Sequence, residues 1–217
     1  MRRSNKKGFT LTEVLLAMAL VGIMSVLVVP QLVKTIQKDK SGMLLGKAVE
    51  QIELGCQNMI QEYNESMENQ GRTSMADTLM AMDGDYAFSM ESLSRYIGAK
   101  NSLVIPNIPG KHVALPQFSR YKFEKFPAEI YVQPRRPLVV EGRDEFVFTS
   151  FIIDVNGLDQ RPNGAGKDRF SFQLRNDGKL VPEGLGVNTC DGDSPARVDA
   201  NCTARVVKDG FKIIYNW

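Results

Sequence analysis

The sequence is poor in the residues that most catalytic and metal centres require. His112 is its only histidine, and Cys56, Cys190 and Cys202 form neither a C-x-x-C pair nor a cluster with it. That supply of ligands argues against zinc. A Ser-His-Asp arrangement would have to use His112, which sits among prolines with no nucleophile motif nearby. Gly164-Ala165-Gly166-Lys167 has neither the spacing of a phosphate-binding loop nor its Ser or Thr. Internal repeats and low-complexity tracts are missing too. With 43% hydrophobic residues and 10 prolines in 217, the chain reads as folded, with one domain or at most two. A global basic field is also lacking. The net charge is +2, but Arg2, Arg3, Lys6 and Lys7 stand ahead of residue 9 with no acid; without these four, 23 basic residues face 25 acidic ones. Charge therefore does not imply non-specific nucleic-acid binding, and no specific nucleic-acid partner is expected. These absences together point away from an enzyme.

What is present begins at the N-terminus. Residues 9–29, FTLTEVLLAMALVGIMSVLVV, hold a single charge, Glu13. At about 1.5 Å per residue the run spans about 30 Å as a helix, the thickness of a bilayer's hydrocarbon core. The basic stretch before it is expected to stay in the cytoplasm, which puts the rest of the chain outside. A secretory signal peptide has a shorter run and small residues at its end, whereas Val28-Val29-Pro30-Gln31 follows here. A plain anchor leaves Glu13 unexplained, since a carboxylate in the bilayer is costly and marks function. An α-amino group created by cleavage before Phe9 would supply its partner. On a neighbouring chain, that pair would neutralise both charges and set the register between subunits.

Lys7-Gly8-Phe9-Thr10-Leu11-Thr12-Glu13 resembles the cleavage and methylation site of type IV prepilins and type II secretion pseudopilins. The resemblance covers about the first thirty residues. It implies that a prepilin peptidase cuts after Gly8 and methylates Phe9, that Glu13 is the assembly glutamate, and that Pro30 kinks the helix. Thr12 is more polar than the usual residue there. The expected division is a leader at 1–8, a transmembrane and filament-core helix at 9–29, and a pilin-like domain at 30–217. Expected partners are homologous subunits, the prepilin peptidase, the inner-membrane assembly platform and the membrane.

Beyond Pro30, Leu45, Val49, Ile52, Cys56, Met59, Tyr63 and Met67 recur every three or four residues. They predict an amphipathic helix docked on a domain, with Cys56 a buried thiol. Gly42, Gly46 and Gly55 weaken it, either for local melting or for close packing. Gly71 is a candidate left-handed cap, and 90–97 a short helix. Strands are expected at 122–126, 130–133, 138–140, 145–155, 169–175 and 212–215. The whole predicts an α+β fold: a long N-terminal helix packed on a C-terminal antiparallel sheet.

Two later segments draw attention. Residues 154–168 concentrate Asp, Asn and Gly; Asp154, Asn156, Asp159 and Asp168 are candidate calcium ligands, although turn formation alone explains such residues. The stretch resembles β-region loops of some pseudopilins, some of which bind calcium. Asn176-Asp177-Gly178-Lys179 predicts a hairpin. Cys190 and Cys202 bracket an 11-residue polar loop and fit a disulfide if the domain lies outside the cytoplasm. By resemblance they match the C-terminal disulfide-bounded region of many type IV pilins. The favoured reading is a major or minor pilin. Rivals are a type II secretion pseudopilin, and a tethered adhesin or DNA receptor using Arg135, Arg136 and Arg143.

Overall fold

The computed structural model describes residues 8–72, 75–105, 118–133, 139–140, 143–144, 146–148, 150–160, 164, 166–183, 190 and 199–214. Its dominant element is helix α1, Leu11–Asn69, which continues unbroken through Pro30. Thr10 starts it and Gly71 ends it. Gly71 holds φ +70, and the N–H groups of Gly71 and Arg72 donate back to the carbonyls of Glu68 and Met67. This is the left-handed cap expected from the sequence.

The helix has two halves of different character. From Gly8 to Ile36 every residue is exposed, and burial begins at Gly42. All seven members of the predicted stripe, Leu45 to Met67, are buried. Against this half packs α2, Met90–Ile97, capped by the Ser89 hydroxyl and ended by Gly98 at φ +61.

The rest is sheet. Strands β1 (Ala99–Ile105), β2 (Phe118–Phe123), β3 (Glu129–Val132), β6 (Phe151–Asp154), β7 (Arg169–Leu174) and β8 (Leu180–Pro182) lie in that spatial order, antiparallel throughout. A separate two-stranded ribbon joins β4 (Val139–Val140) and β5 (Arg143–Asp144). Cross-strand neighbours Ile130, Ile153 and Phe170 form one row of the main core, and Val132, Phe151 and Phe172 form the next. Phe118, Tyr131 and Ile152 alternate with them on the opposite face as a smaller cluster. The α+β architecture is thus a long helix followed by a six-stranded antiparallel sheet.

Several strand readings differ from expectation. The strand expected at 122–126 runs over Phe118–Phe123 instead. Residues 145–155 are not one strand: Phe146 makes an isolated bridge to Arg175, and pairing resumes only at Phe151. Edge strand β1 (Ala99–Ile105) is not among the expected strands. Lys212, Ile213 and Ile214 are not in a strand; instead a third helix, α3 (Asp199–Lys208), precedes them and packs on β7. The hairpin at Asn176-Asp177-Gly178-Lys179 forms as expected, with Gly178 at φ +81 between β7 and β8.

Gly42 and Gly55 serve close packing. A Cβ at Gly42 would stand 2.0 Å from the Phe211 carbonyl oxygen, and one at Gly55 would stand 2.4 Å from Ile97 Cγ2. Helix propensity alone favours Gly42→Ala by about 1 kcal/mol. The clash is with backbone, however, and overpacking costs about 1–3 kcal/mol. Gly42→Ala is therefore expected to lower the melting temperature of the chain, and an increase would show that the Phe211 crossing yields readily.

Candidate functional site: the N-terminal helix and its cap

Gly8, Phe9 and Thr10 precede the first helical residue, so the Gly8–Phe9 peptide bond lies outside the helix. Phe9 is 87% exposed, and a Cβ at Gly8 would meet nothing within 4 Å. Glu13 sits in the first turn. Its Oε2 accepts from the Thr10 backbone N–H at 2.8 Å and from the Thr10 hydroxyl at 2.8 Å, while the Glu13 N–H donates to Thr10 Oγ1 at 3.3 Å. This is a reciprocal capping box, and it satisfies donors that a helix start leaves orphaned. Reading Glu13 only as an ion-pair residue missed it, although Thr10-x-x-Glu13 spells the motif. Both hydrogen bonds fall on Oε2; among the described residues Oε1 has no partner.

The next turns carry an apolar surface that the domain does not cover. Leu15, Leu16, Met18, Val21, Ile23 and Val26 are each more than half exposed. Of the described helices, this one alone is long and apolar enough to cross a membrane. A surface of this size on a folded chain marks a membrane or protein contact.

At the other end of the molecule Cys190 and Cys202 are bonded, with Cα atoms 5.0 Å apart and both residues buried. The bridge ties α3 to the chain before it. The Thr203 hydroxyl, next in sequence, accepts from the Ser171 N–H of β7 at 2.7 Å. Cys56 is the one free thiol among the described residues; burial, then the nearby Glu53 charge, pushes it up to about 12, so it is inert at neutral pH.

Of the candidate calcium ligands, Asp154 and Asp168 are buried and close enough to repel one another, while Asp159 is exposed. Asp154 Oδ1 is occupied by the N–H groups of Asn156 and Gly157, and Asp168 Oδ1 by the N–H of Gly164. Asp159 is exposed and lies 3.8 Å from Arg120 instead. No group of three or more His, Cys, Asp or Glu suited to a metal occurs among the described residues. His112, Arg135 and Arg136 lie outside the described residues, as does the Arg143 side chain.

Asp154 is nonetheless unusual. Burial, and then repulsion from Asp168, pushes its carboxyl up to about 7, and Oδ2 has no hydrogen-bond partner among the described residues. Because the folded-state value lies above the unfolded one, the folded chain keeps a proton that the unfolded chain has lost. Stability from this group is therefore full below about pH 4 and declines by about 3–4 kcal/mol as pH rises to 7. Asp154→Asn should flatten that decline in urea titrations with chelator present. Equal pH slopes for the two proteins would show that Asp154 is ionised throughout.

The buried Glu129 behaves oppositely. Burial pushes its carboxyl up, but hydrogen bonds from Arg120, the Tyr131 hydroxyl and the Leu158 N–H outweigh that and leave it below the usual carboxylate range. These contacts pin the start of the β6–β7 loop to the sheet. They depend on strand register, so no local sequence signal announces them.

No curated protein and no solved structure matches the chain significantly. Residues 3–29, which contain Gly8, Phe9 and Glu13, match the prokaryotic N-terminal methylation motif, and the chain therefore carries the signature of type IV pilins and pseudopilins.

Proposed function

We propose that the chain is a structural subunit, a major or minor pilin, of a type IV pilus-like filament. The observation that supports it best is the uncovered helix half: an apolar run with a motif at its head and no part of its own domain against it. In this reading the chain first sits in the inner membrane through residues 9–29, with residues 30–217 outside the cytoplasm. Prepilin peptidase removes residues 1–8 and methylates Phe9. Subunits then leave the bilayer through the assembly platform by packing their apolar helices together, which exchanges lipid contacts for helix contacts.

Glu13 has two tasks in this scheme. Oε2 closes the helix start on Thr10, and Oε1 takes the terminal amine of an adjacent subunit. A bare carboxylate and a bare ammonium are each expensive in an apolar bundle, so the register that pairs them is favoured. Apolar packing supplies the cohesion and the pair supplies the alignment. The domain that docks on the second half of α1 faces outward, held together at its C-terminal end by the Cys190–Cys202 bond.

A pseudopilin of a type II secretion system assembles by the same logic. The Asp- and Asn-rich residues 154–168 lean that way, while the disulfide leans towards a pilus. Filaments sheared from the cell surface and digested for mass spectrometry would decide. The peptide beginning at Phe9 in that fraction supports the pilus; its confinement to short cell-bound filaments supports the pseudopilus. A chain that is never cross-linked to any pilin-type subunit would end both readings.

A further inference from the structure

Just above the apolar run the helix carries Lys34, Lys38 and Lys40 against a single acid, Asp39. Lys34 and Lys40 are exposed and Lys38 half-buried, and they alternate with exposed Leu32, Val33 and Ile36. A fourth cation joins them through the fold. Phe211 crosses the helix at Gly42, and that crossing brings the next residue, Lys212, to one turn above Lys38, its Cα 3.9 Å from where a Gly42 Cβ would stand. Lys212 is exposed as well.

From these positions we infer that residues 32–40 and Lys212 form a collar that binds the anionic phosphate headgroups of the outer leaflet before the subunit leaves the membrane. This rests on the membrane-anchored reading above. Counting from Val29 at about 1.5 Å per residue, Lys34 stands about 8 Å, Lys38 about 14 Å and Lys40 about 17 Å beyond the hydrocarbon. The headgroup layer is about 5–8 Å deep, and charges act over a further Debye length of about 8 Å. Flexible lysine stems reach down towards the phosphates while Leu32, Val33 and Ile36 sit at the boundary. The placement also needs a reason. Cations on the outer flank weaken the charge asymmetry with Arg2, Arg3, Lys6 and Lys7 that orients the helix. Attraction to acidic lipid offsets that disadvantage, and it seats the domain's underside at a fixed height over the bilayer.

The test uses the full chain reconstituted at high lipid excess in phosphatidylcholine bilayers, with spin-labelled phosphatidylglycerol or phosphatidylcholine as probe. The motionally restricted fraction of each lipid gives a selectivity ratio. Wild type is expected to prefer phosphatidylglycerol about threefold, and salt at 0.5 M should erase most of that preference. The triple variant Lys34→Gln, Lys38→Gln, Lys40→Gln should lose at least half of it, while the Lys→Arg triple variant keeps it. The leader's cations are unchanged in every variant and cancel in the comparison. A Gln triple variant as selective as wild type would overturn the collar, even if it then failed to form filaments, because the lysines would be serving contacts between subunits. Restricted lipid with no preference in wild type would overturn it also. Finding no restricted lipid of either kind would instead remove the membrane anchor on which the inference rests.

Discussion

Glu13→Gln is expected to abolish filament assembly while leaving the helix, its membrane insertion and the folded domain intact. Glutamine can still accept from Thr10 and so can keep the capping box, in which Glu13 Oε2 takes both the Thr10 N–H and hydroxyl. What it lacks is the charge. In the proposed filament the terminal amine of the next subunit would then be buried beside a neutral amide. Leaving one partner of such a pair unneutralised in an apolar environment costs on the order of 3 kcal/mol, about a hundredfold in the association constant at each addition. Filament growth repeats that addition, so the loss compounds along the fibre. Glu13→Ala removes cap and charge together and should in addition fray the first turn by about 1 kcal/mol. Sheared surface filaments counted by immunoblot, with membrane-fraction protein as reference, give the readout. If the Gln variant assembles like wild type while the Ala variant fails, Glu13 works as a cap and the intersubunit pair is wrong. If both assemble normally, register comes from apolar packing alone.

The parts of this architecture that were legible in the sequence are those whose cause is local. The apolar run shows itself through composition, and the second half of α1 through a 3.6-residue stripe, every member of which is buried. α2 and the Gly178 hairpin are announced by an amphipathic octet and an Asp-Gly turn. What escaped was set by distant partners. β1 is an edge strand with Lys100 and Asn101 on it, so it has little apolar alternation to read; its pairing with β2 is what makes it a strand. α3 is short and polar by composition. Its inward contacts, Cys202, Thr203 and Val206, are fixed by a disulfide and by β7. The expected strand over residues 212–215 failed for the same reason: after Gly210 at φ +66 and Phe211 at φ +62 the chain turns back onto Gly42 and Gly46 of α1. The candidate calcium set was read from residue types in one loop. Which of those side chains is exposed is set by the fold: Asp159 is exposed near Arg120, while Asp154 and Asp168 are buried.

Gly8→Val is expected to stop processing, and the structure makes this an unusually clean experiment. Among the described residues nothing requires glycine at this position. Gly8 is exposed, a Cβ there meets no atom within 4 Å, and it is not among the residues of positive φ. The helix begins three residues later and is capped by Thr10, so neither helix nor domain should sense the change. Any requirement for glycine therefore belongs to the enzyme that cuts the chain, whose site must bring its catalytic groups up to an extended, unencumbered backbone. A β-branched side chain beside the scissile bond displaces that backbone, and a misplacement of about 1 Å costs ~100-fold in rate. Intact-mass analysis of the membrane-extracted protein reads the result. Wild type should lose Met1 to Gly8 and gain one methyl group whenever the peptidase is active, and should keep its leader when the peptidase is inactivated. The Gly8→Val chain should keep its leader in both backgrounds, with an unchanged melting temperature. Wild type that retains Met1 in the presence of active peptidase would leave a domain tethered by residues 9–29 and no route to a free Phe9 amine, so the pairing proposed for Glu13 would fall with it.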